Sequence, residues 1–169
     1  MDNAIQSFSR SLLIHGSAHA VFSLMDDLAK TGMHMTKRSM MMMGSKLTLE
    51  DRTKNGTGIG STFRWYGKMM GMKMDFTETV TEWNAGKSKK WETIGDAKLI
   101  IFSWYQMGFD LQSKGSDTEA TLWIKYKKPE EWFYRLLSFL FAKWYCRWCL
   151  ENMLNDTKEH VEFKKEDSQ

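Results

Sequence analysis

The feature that most constrains the fold is an aromatic helix predicted for the last third of the chain. It begins beyond Pro129, the only proline in the sequence, which is followed directly by Glu130 and Glu131. Proline is tolerated in a first helical turn because its missing N–H is not needed there, and acidic residues favour the positive end of the helix dipole. We therefore expect a helix over about residues 130–162, followed by a short tail at 163–169.

The stretch between Ser45 and Tyr126 has the alternation and the turn residues of successive antiparallel strands. A first strand is predicted at 5–14, and Ser17 is placed to cap a short helix after it. Residues 29–44 are ambiguous and permit a second short helix. A long apolar helix must cover one face of such a sheet, because neither element can bury its apolar side alone.

The segment around the hairpin turn at residues 84–86 gives more local predictions. We expect Lys87, Lys89 and Lys90 to lie at a solvated hairpin tip. Strands are predicted after it at 91–94, 99–111 and 118–126. In the first helix, Asp26 is expected on the solvent side.

Composition limits the class of protein. The chain has 169 residues, 42% of them hydrophobic and 27% charged, which predicts one domain spanning 1–169 with a substantial core. A net charge of +3, with basic residues scattered among acidic ones, argues against a nucleic-acid partner. The 14 methionines and 8 tryptophans suit either an adaptable apolar pocket or a solid core.

The cysteines and the N-terminus indicate a cytoplasmic protein. The first residues are acidic where a secretory signal would be basic, and no apolar segment follows them. Cys146 and Cys149 are too few for a disulfide framework. Their C-x-x-C spacing lies mid-helix, away from the helix start that lowers a thiol pKa, so we expect structural cysteines. Arg135, Lys143 and Arg147 interrupt the helix too often for a transmembrane span.

Four short motifs, in this order along the chain, resemble the START-like superfamily, which includes Bet v 1-like proteins and the polyketide cyclases and dehydrases (SRPBCC). They are a strand-to-helix junction at 14–22, a G-x-G segment at 58–61, an E-x-V-x-E strand at 78–83, and the opening of the last strand at 117–122. The glycine usual in the last motif is displaced to Gly115, and the proline usual after the third is absent.

This resemblance implies an α+β helix-grip fold: a curved antiparallel sheet of about seven strands around the C-terminal helix, with one or two short helices after the first strand. It also implies an apolar cavity between sheet and helix. Family members bind lipids, sterols, hormones, polyketides or quinones, and many have no catalytic residues. The four histidines, at 15, 19, 34 and 160, are too dispersed for a zinc site, and we expect no cofactor and no metal.

Glu78 is the residue of most chemical interest. Alternation along the strand places it on the same face as Met74 and Phe76, where a carboxylate is costly unless it is paired or protonated. It is a candidate polar contact for a ligand or a candidate general acid or base; alternatively it reaches solvent at the cavity mouth. Arg64 would be its partner in one strand register, whereas the other register turns Phe63 and Trp65 inward instead. The apolar residues favour the second register.

Alternation in the remaining strands extends the predicted ligand-binding set. The large side chains of the helix that lie opposite its polar side, among them Phe133, Phe141 and Trp144, are expected to face the sheet and cap the cavity. Tyr105 is expected to offer its hydroxyl to a ligand oxygen or to the backbone. The full set is Phe63, Trp65, Met74, Phe76, Glu78, Trp91, Tyr105, Met107, Phe109, Leu122, Ile124, Phe133, Leu137, Phe141, Trp144 and Trp148.

A second helix stripe, Trp132, Phe139, Cys146 and Leu150, is predicted to face solvent, where it would contact a membrane surface or a second copy of the chain. The methionines at 33, 35 and 40–43, beside His34, suit a hydrophobic gate better than a Cu(I) site.

The leading functional hypothesis is binding or carriage of an apolar small molecule. The alternatives are a cyclase or dehydrase that uses Glu78 as an acid or base, and an interaction module acting on a membrane or a protein.

Overall fold

A computed structural model describes residues 4–27, 47–51, 53, 57–69 and 71–166. The elements are β1 (Gln6–Ile14), α1 (Ala18–Asp26), β2 (Leu47–Asp51), β3 (Thr62–Met69), β4 (Met72–Asn84), β5 (Ser88–Lys98), β6 (Trp104–Lys114), β7 (Asp117–Lys127) and α2 (Trp132–Glu166). The methionines at 33, 35 and 40–43 and the possible second short helix at 29–44 lie outside the described residues.

The seven described strands form one antiparallel sheet in the order β1-β7-β6-β5-β4-β3-β2. Successive hairpins carry the chain from β2 to β7, and β1 pairs with β7 at the other edge. The sheet curves around α2, and α1 follows the first strand. This confirms the predicted fold class, a helix-grip arrangement.

The first helix begins where the sequence predicts. The Ser17 side chain accepts a hydrogen bond from the Ala20 backbone N–H at 3.3 Å, which satisfies one of the unpaired donors of the first turn. Val21, Phe22 and Met25 are buried, since their spacing places them on one side of the helix. Asp26 is buried as well, so its predicted solvent position is wrong.

The long helix α2 packs through its small and medium side chains. It contacts β1, β7 and α1. The residues it buries include Ser138, Ala142, Cys146, Cys149 and Leu150. Small side chains let the helix backbone approach a sheet whose own inner face already carries large aromatic rings. No helix in the described part of the chain is both long enough and apolar enough to cross a membrane.

The segment after the β4–β5 turn differs from the sequence prediction. The turn closes with the Lys87 N–H donating to the Asn84 carbonyl, and Gly86 adopts a positive φ of 73°. Strand β5 therefore starts at Ser88, and alternation carries Lys89 inward, where it is fully buried. The prediction that Lys89 lies at a solvated hairpin tip is therefore wrong.

The strands predicted at 91–94 and 99–111 also have different bounds. Strand β5 runs on to Lys98, and residues 99–103 form the connection to β6. Ile100 and Phe102 of this connection are buried. The sequence predicted a strand here because a buried apolar loop has the same run of apolar residues as a buried strand.

Candidate ligand site at Glu78

Glu78 lies in the middle of the sheet and points to its inner, helix-facing side. It pairs with Phe63 on β3 and with Thr93 on β5. The Thr93 hydroxyl accepts a hydrogen bond from the Tyr105 backbone N–H at 3.2 Å, which extends the row to β6. Tyr105 then pairs with Tyr126 on β7. One row of side chains thus crosses five strands with a single carboxylate within it.

The Glu78 carboxylate is held by neutral donors on both oxygens. The Trp65 indole N–H donates to Oε2 at 2.9 Å. The Tyr105 hydroxyl donates to Oε1, and Trp91 adds a further side-chain hydrogen bond. With only 2% of the residue exposed, these donors replace the water that the carboxylate has lost. The alternative that Glu78 reaches solvent at a cavity mouth is therefore wrong.

Burial raises the pKa of Glu78 to about 7, because a low-dielectric interior disfavours the charged form. The hydrogen bonds from Tyr105 and Trp65 oppose this rise, as does the more distant charge of Lys89. The group therefore changes protonation state near neutral pH, a property often found in carboxylates that bind ligands or transfer protons.

The helix closes the site from the opposite side. Burial raises the pKa of Tyr145 and that of Cys149, both on α2. The nearby negative charge of Glu78 raises both pKa values further. The Tyr145 ring packs against Phe102, with 6.1 Å between centroids. The site thus combines one ionisable carboxylate with phenol, indole, thiol and aromatic groups.

The structure buries the strand members of the predicted ligand-binding set and leaves several helix members exposed. All eleven strand residues named above face the interior. Leu137 and Trp148 are half-buried. Phe133, Phe141 and Trp144 are exposed, so the prediction that they face the sheet is wrong. The helix turns smaller residues such as Ala142 and Cys146 towards the sheet, in place of the large side chains that were expected to cap the cavity.

The predicted solvent stripe is also only half right. Trp132 and Phe139 are exposed, whereas Cys146 and Leu150 are completely buried against the core. Only the first turns of α2 leave that side uncovered; farther along, the same side of the helix packs onto the rest of the chain.

Arg64 takes the outward register that the apolar residues favour. It pairs with Thr77, while Phe63 and Trp65 beside it face inward. Its guanidinium binds the Asp75 carboxylate through Nε at 2.7 Å and Nη2 at 2.5 Å. It therefore takes no part in the site.

A buried ion pair next to the site was not predicted from the sequence. The Lys89 ammonium lies 2.6 Å from the Asp26 carboxylate and 3.1 Å from the Asp26 carbonyl at the end of α1. The Trp83 indole N–H donates to the same carboxylate at 3.1 Å. Burial lowers the pKa of Lys89, and the Asp26 carboxylate opposes this shift. Alternation along the strand from Trp91 back to Lys89 would have predicted an inward lysine. Its partner, Asp26, could not be predicted because it lies 63 residues earlier in the sequence.

The cysteines have the surroundings of structural thiols. Both are free and buried, and burial raises the pKa of Cys146 to about 12 and that of Cys149 also upward. Within the described ranges, no three histidine, cysteine or acidic side chains cluster in a way that would hold a metal ion.

Comparison with known proteins identifies the fold. No family model and no curated sequence matches the chain. Among solved structures, a protein from Thermus thermophilus is similar, with 21% identity and a TM-score of 0.69, covering 94% of this chain and 99% of that one. An aromatase/cyclase from a Streptomyces species has 9% identity and a TM-score of 0.70, covering 94% of each chain.

A third similar structure is norcoclaurine synthase from Thalictrum flavum, solved in complex with dopamine and hydroxybenzaldehyde. It has 14% identity and a TM-score of 0.64, and the alignment covers 94% of this chain and 87% of that one. These neighbours confirm the resemblance drawn from the sequence motifs at the level of structure. The chain has the START-like, or Bet v 1-like, helix-grip fold.

Proposed function

We propose that this protein binds an apolar small molecule between the inner face of the sheet and α2, with Glu78 as the polar contact that orients it. The observation that carries the proposal is the position of that carboxylate. It is fully enclosed, it lies on an inner face formed largely by aromatic and aliphatic side chains, and neutral donors rather than a cation hold it. Ligand sites commonly combine a mostly apolar lining with a few such polar groups.

The chemistry of the site favours a ligand with a broad apolar body and one hydrogen-bonding group. Aromatic rings and methionines line the rows on either side of Glu78, and this lining suits a lipid, quinone, polyketide or sterol-like molecule. Support comes from the norcoclaurine synthase structure, which has this fold and contains two small aromatic molecules.

A neutral fluorescent probe, N-phenylnaphthylamine, tests for the site without knowledge of the natural ligand. We expect the wild type to bind one probe per chain with increased emission. Met107→Trp should weaken binding about tenfold, because the larger side chain fills space on the inner face. Gln106→Trp is the matched control: it is the adjacent residue of β6, faces outward and bonds to Glu92.

Circular dichroism of both variants shows whether the fold is retained, and Met74→Trp on β4 provides a second interior substitution. The proposal is wrong if the folded wild type takes up no probe. It is equally wrong if folded interior and exterior variants bind the probe alike.

A second candidate is an enzyme of the cyclase or dehydrase kind, favoured specifically by the Glu78 pKa of about 7. A carboxyl group that titrates near the working pH is suited to general acid–base catalysis. Glu78→Gln distinguishes the two functions once a ligand has been extracted. In a carrier, affinity should fall by less than about tenfold; an enzyme should lose about two or more orders of magnitude in rate.

A further inference from the structure

The first half of α2 carries an exposed apolar surface that the ligand site does not use. We define the aromatic helix surface as Trp132, Phe133, Leu136, Phe139, Leu140 and Trp144. Trp132 is 78% exposed and Phe139 72% exposed, and the other four are also exposed. Isolated exposed apolar residues are ordinary, but six within thirteen positions form a contiguous patch of the kind that marks an interaction site.

Helical spacing places these residues on one broad side of α2. Trp132, Leu136 and Phe139 recur at intervals of four and three, so they are neighbours along the helix surface. Lys143 continues the same row one turn farther on. Ser138 and Ala142, on the other side, are buried against the rest of the chain. The aromatic helix surface therefore points away from the core.

Charge around the surface is one-sided. From Trp132 to Trp148 the sequence contains three basic residues, Arg135, Lys143 and Arg147, and no acidic residue. Lys127 and Lys128 precede the helix, and the Lys128 ammonium lies 5.6 Å from the centre of the Phe139 ring. The nearest acidic residues in the sequence, at 130, 131 and 151, lie just outside the two ends of this stretch, and Glu151 pairs with Arg147 at 3.7 Å.

This pattern matches the interface of a lipid bilayer. Helices that lie in the headgroup region combine Trp, Phe and Leu with basic residues, so that apolar side chains enter the acyl boundary while cations meet anionic lipid. A twofold contact between two copies would instead place this basic stretch against an identical basic stretch. Charge complementarity thus favours an anionic membrane over self-association.

We propose that the aromatic helix surface docks this protein peripherally on anionic membranes, with the first half of α2 lying in the plane of the headgroups. The proposal goes beyond ligand binding and does not depend on it, since it concerns only residues on the outer side of α2.

Co-sedimentation with vesicles tests the proposal using the full chain. One set contains phosphatidylcholine alone and the other adds about 30% phosphatidylserine, at low and high salt. The wild type should bind the anionic vesicles more tightly and lose that preference at high salt. Phe139→Glu should lower the partition coefficient at least about tenfold. Lys143→Ala should lower it about fivefold on anionic vesicles only.

Phe163→Glu is the matched control, because Phe163 is 65% exposed on the same helix but far from the aromatic helix surface. It should bind vesicles as the wild type does. Two results would overturn the proposal: no wild-type binding to either vesicle set, or an equal loss in both phenylalanine variants. If the first result is accompanied by a salt-resistant dimer that Phe139→Glu dissolves, the surface serves self-association instead. Sedimentation velocity detects the dimer.

Discussion

Replacing Glu78 with glutamine should remove a specific part of the pH dependence of stability. The carboxyl has a pKa of about 7 in the folded chain, against 4.5 as its ordinary value. Between these values the folded chain holds a proton that the unfolded chain releases, so the free energy of unfolding falls as pH rises and levels off above pH 7. At about 1.4 kcal/mol for each pH unit, the fall is about 3 kcal/mol.

Glutamine cannot ionise and therefore escapes this loss. Near pH 4.5 the carboxyl of the folded wild type is protonated and uncharged. At this pH the ionisation of Glu78 should therefore contribute little to the difference in unfolding free energy between Glu78→Gln and the wild type. By pH 8 the variant should have gained about 3 kcal/mol relative to the wild type. Urea unfolding at several pH values, followed by circular dichroism, measures the difference directly.

The control is Glu82→Gln on the same strand. Hydrogen bonding to Lys90 lowers the pKa of Glu82, so its contribution to stability is present above its ordinary pKa and is lost as pH falls. Between pH 6 and 8 its stability curve should run parallel to that of the wild type. A Glu78→Gln curve that also runs parallel to the wild-type curve from pH 4.5 to 8 would refute the assignment of a raised pKa.

Two further predictions concern other buried groups. Lys89→Met should cost about 3 kcal/mol of unfolding free energy because it leaves the Asp26 charge buried without its cation, and the double variant with Asp26→Leu should recover much of this loss. A urea double-mutant cycle measures the coupling, and additive losses would contradict it. Cys146 and Cys149 should react slowly with a thiol reagent in the folded protein and rapidly in urea, because burial keeps both protonated; fast modification of the folded chain would contradict this.

The sheet and its inner face were predictable because strand alternation is a local property. Once Met74 and Phe76 are assigned inward, Glu78 must follow them, and the structure places it there. The pairing register of β3 with β4 was harder to predict, because a slip of one residue turns every side chain to the opposite face of the sheet. The two apolar neighbours of Arg64 indicated the correct register, because it buries both rings and leaves the cation on the outer face.

Helix orientation and long-range pairing were not predictable in the same way. The largest side chains of α2 suggested its buried face, yet the sheet supplies the large rings and the helix fits against them with Ala142 and Cys146. The hydrogen bonds of Glu78 to Trp65 and Tyr105 join three strands, and the pair of Lys89 and Asp26 joins a strand to a helix. Such contacts depend on distances in the folded chain that no spacing in the sequence determines.

Native mass spectrometry of the freshly purified protein, followed by solvent extraction and identification of what is released, tests the central claim most directly. The account predicts one apolar molecule per chain, released by solvent, and lost in Met107→Trp but retained in Gln106→Trp. A folded wild-type chain that carries nothing, and that gains no mass when an excess of N-phenylnaphthylamine is added, would contradict a ligand site between the sheet and α2.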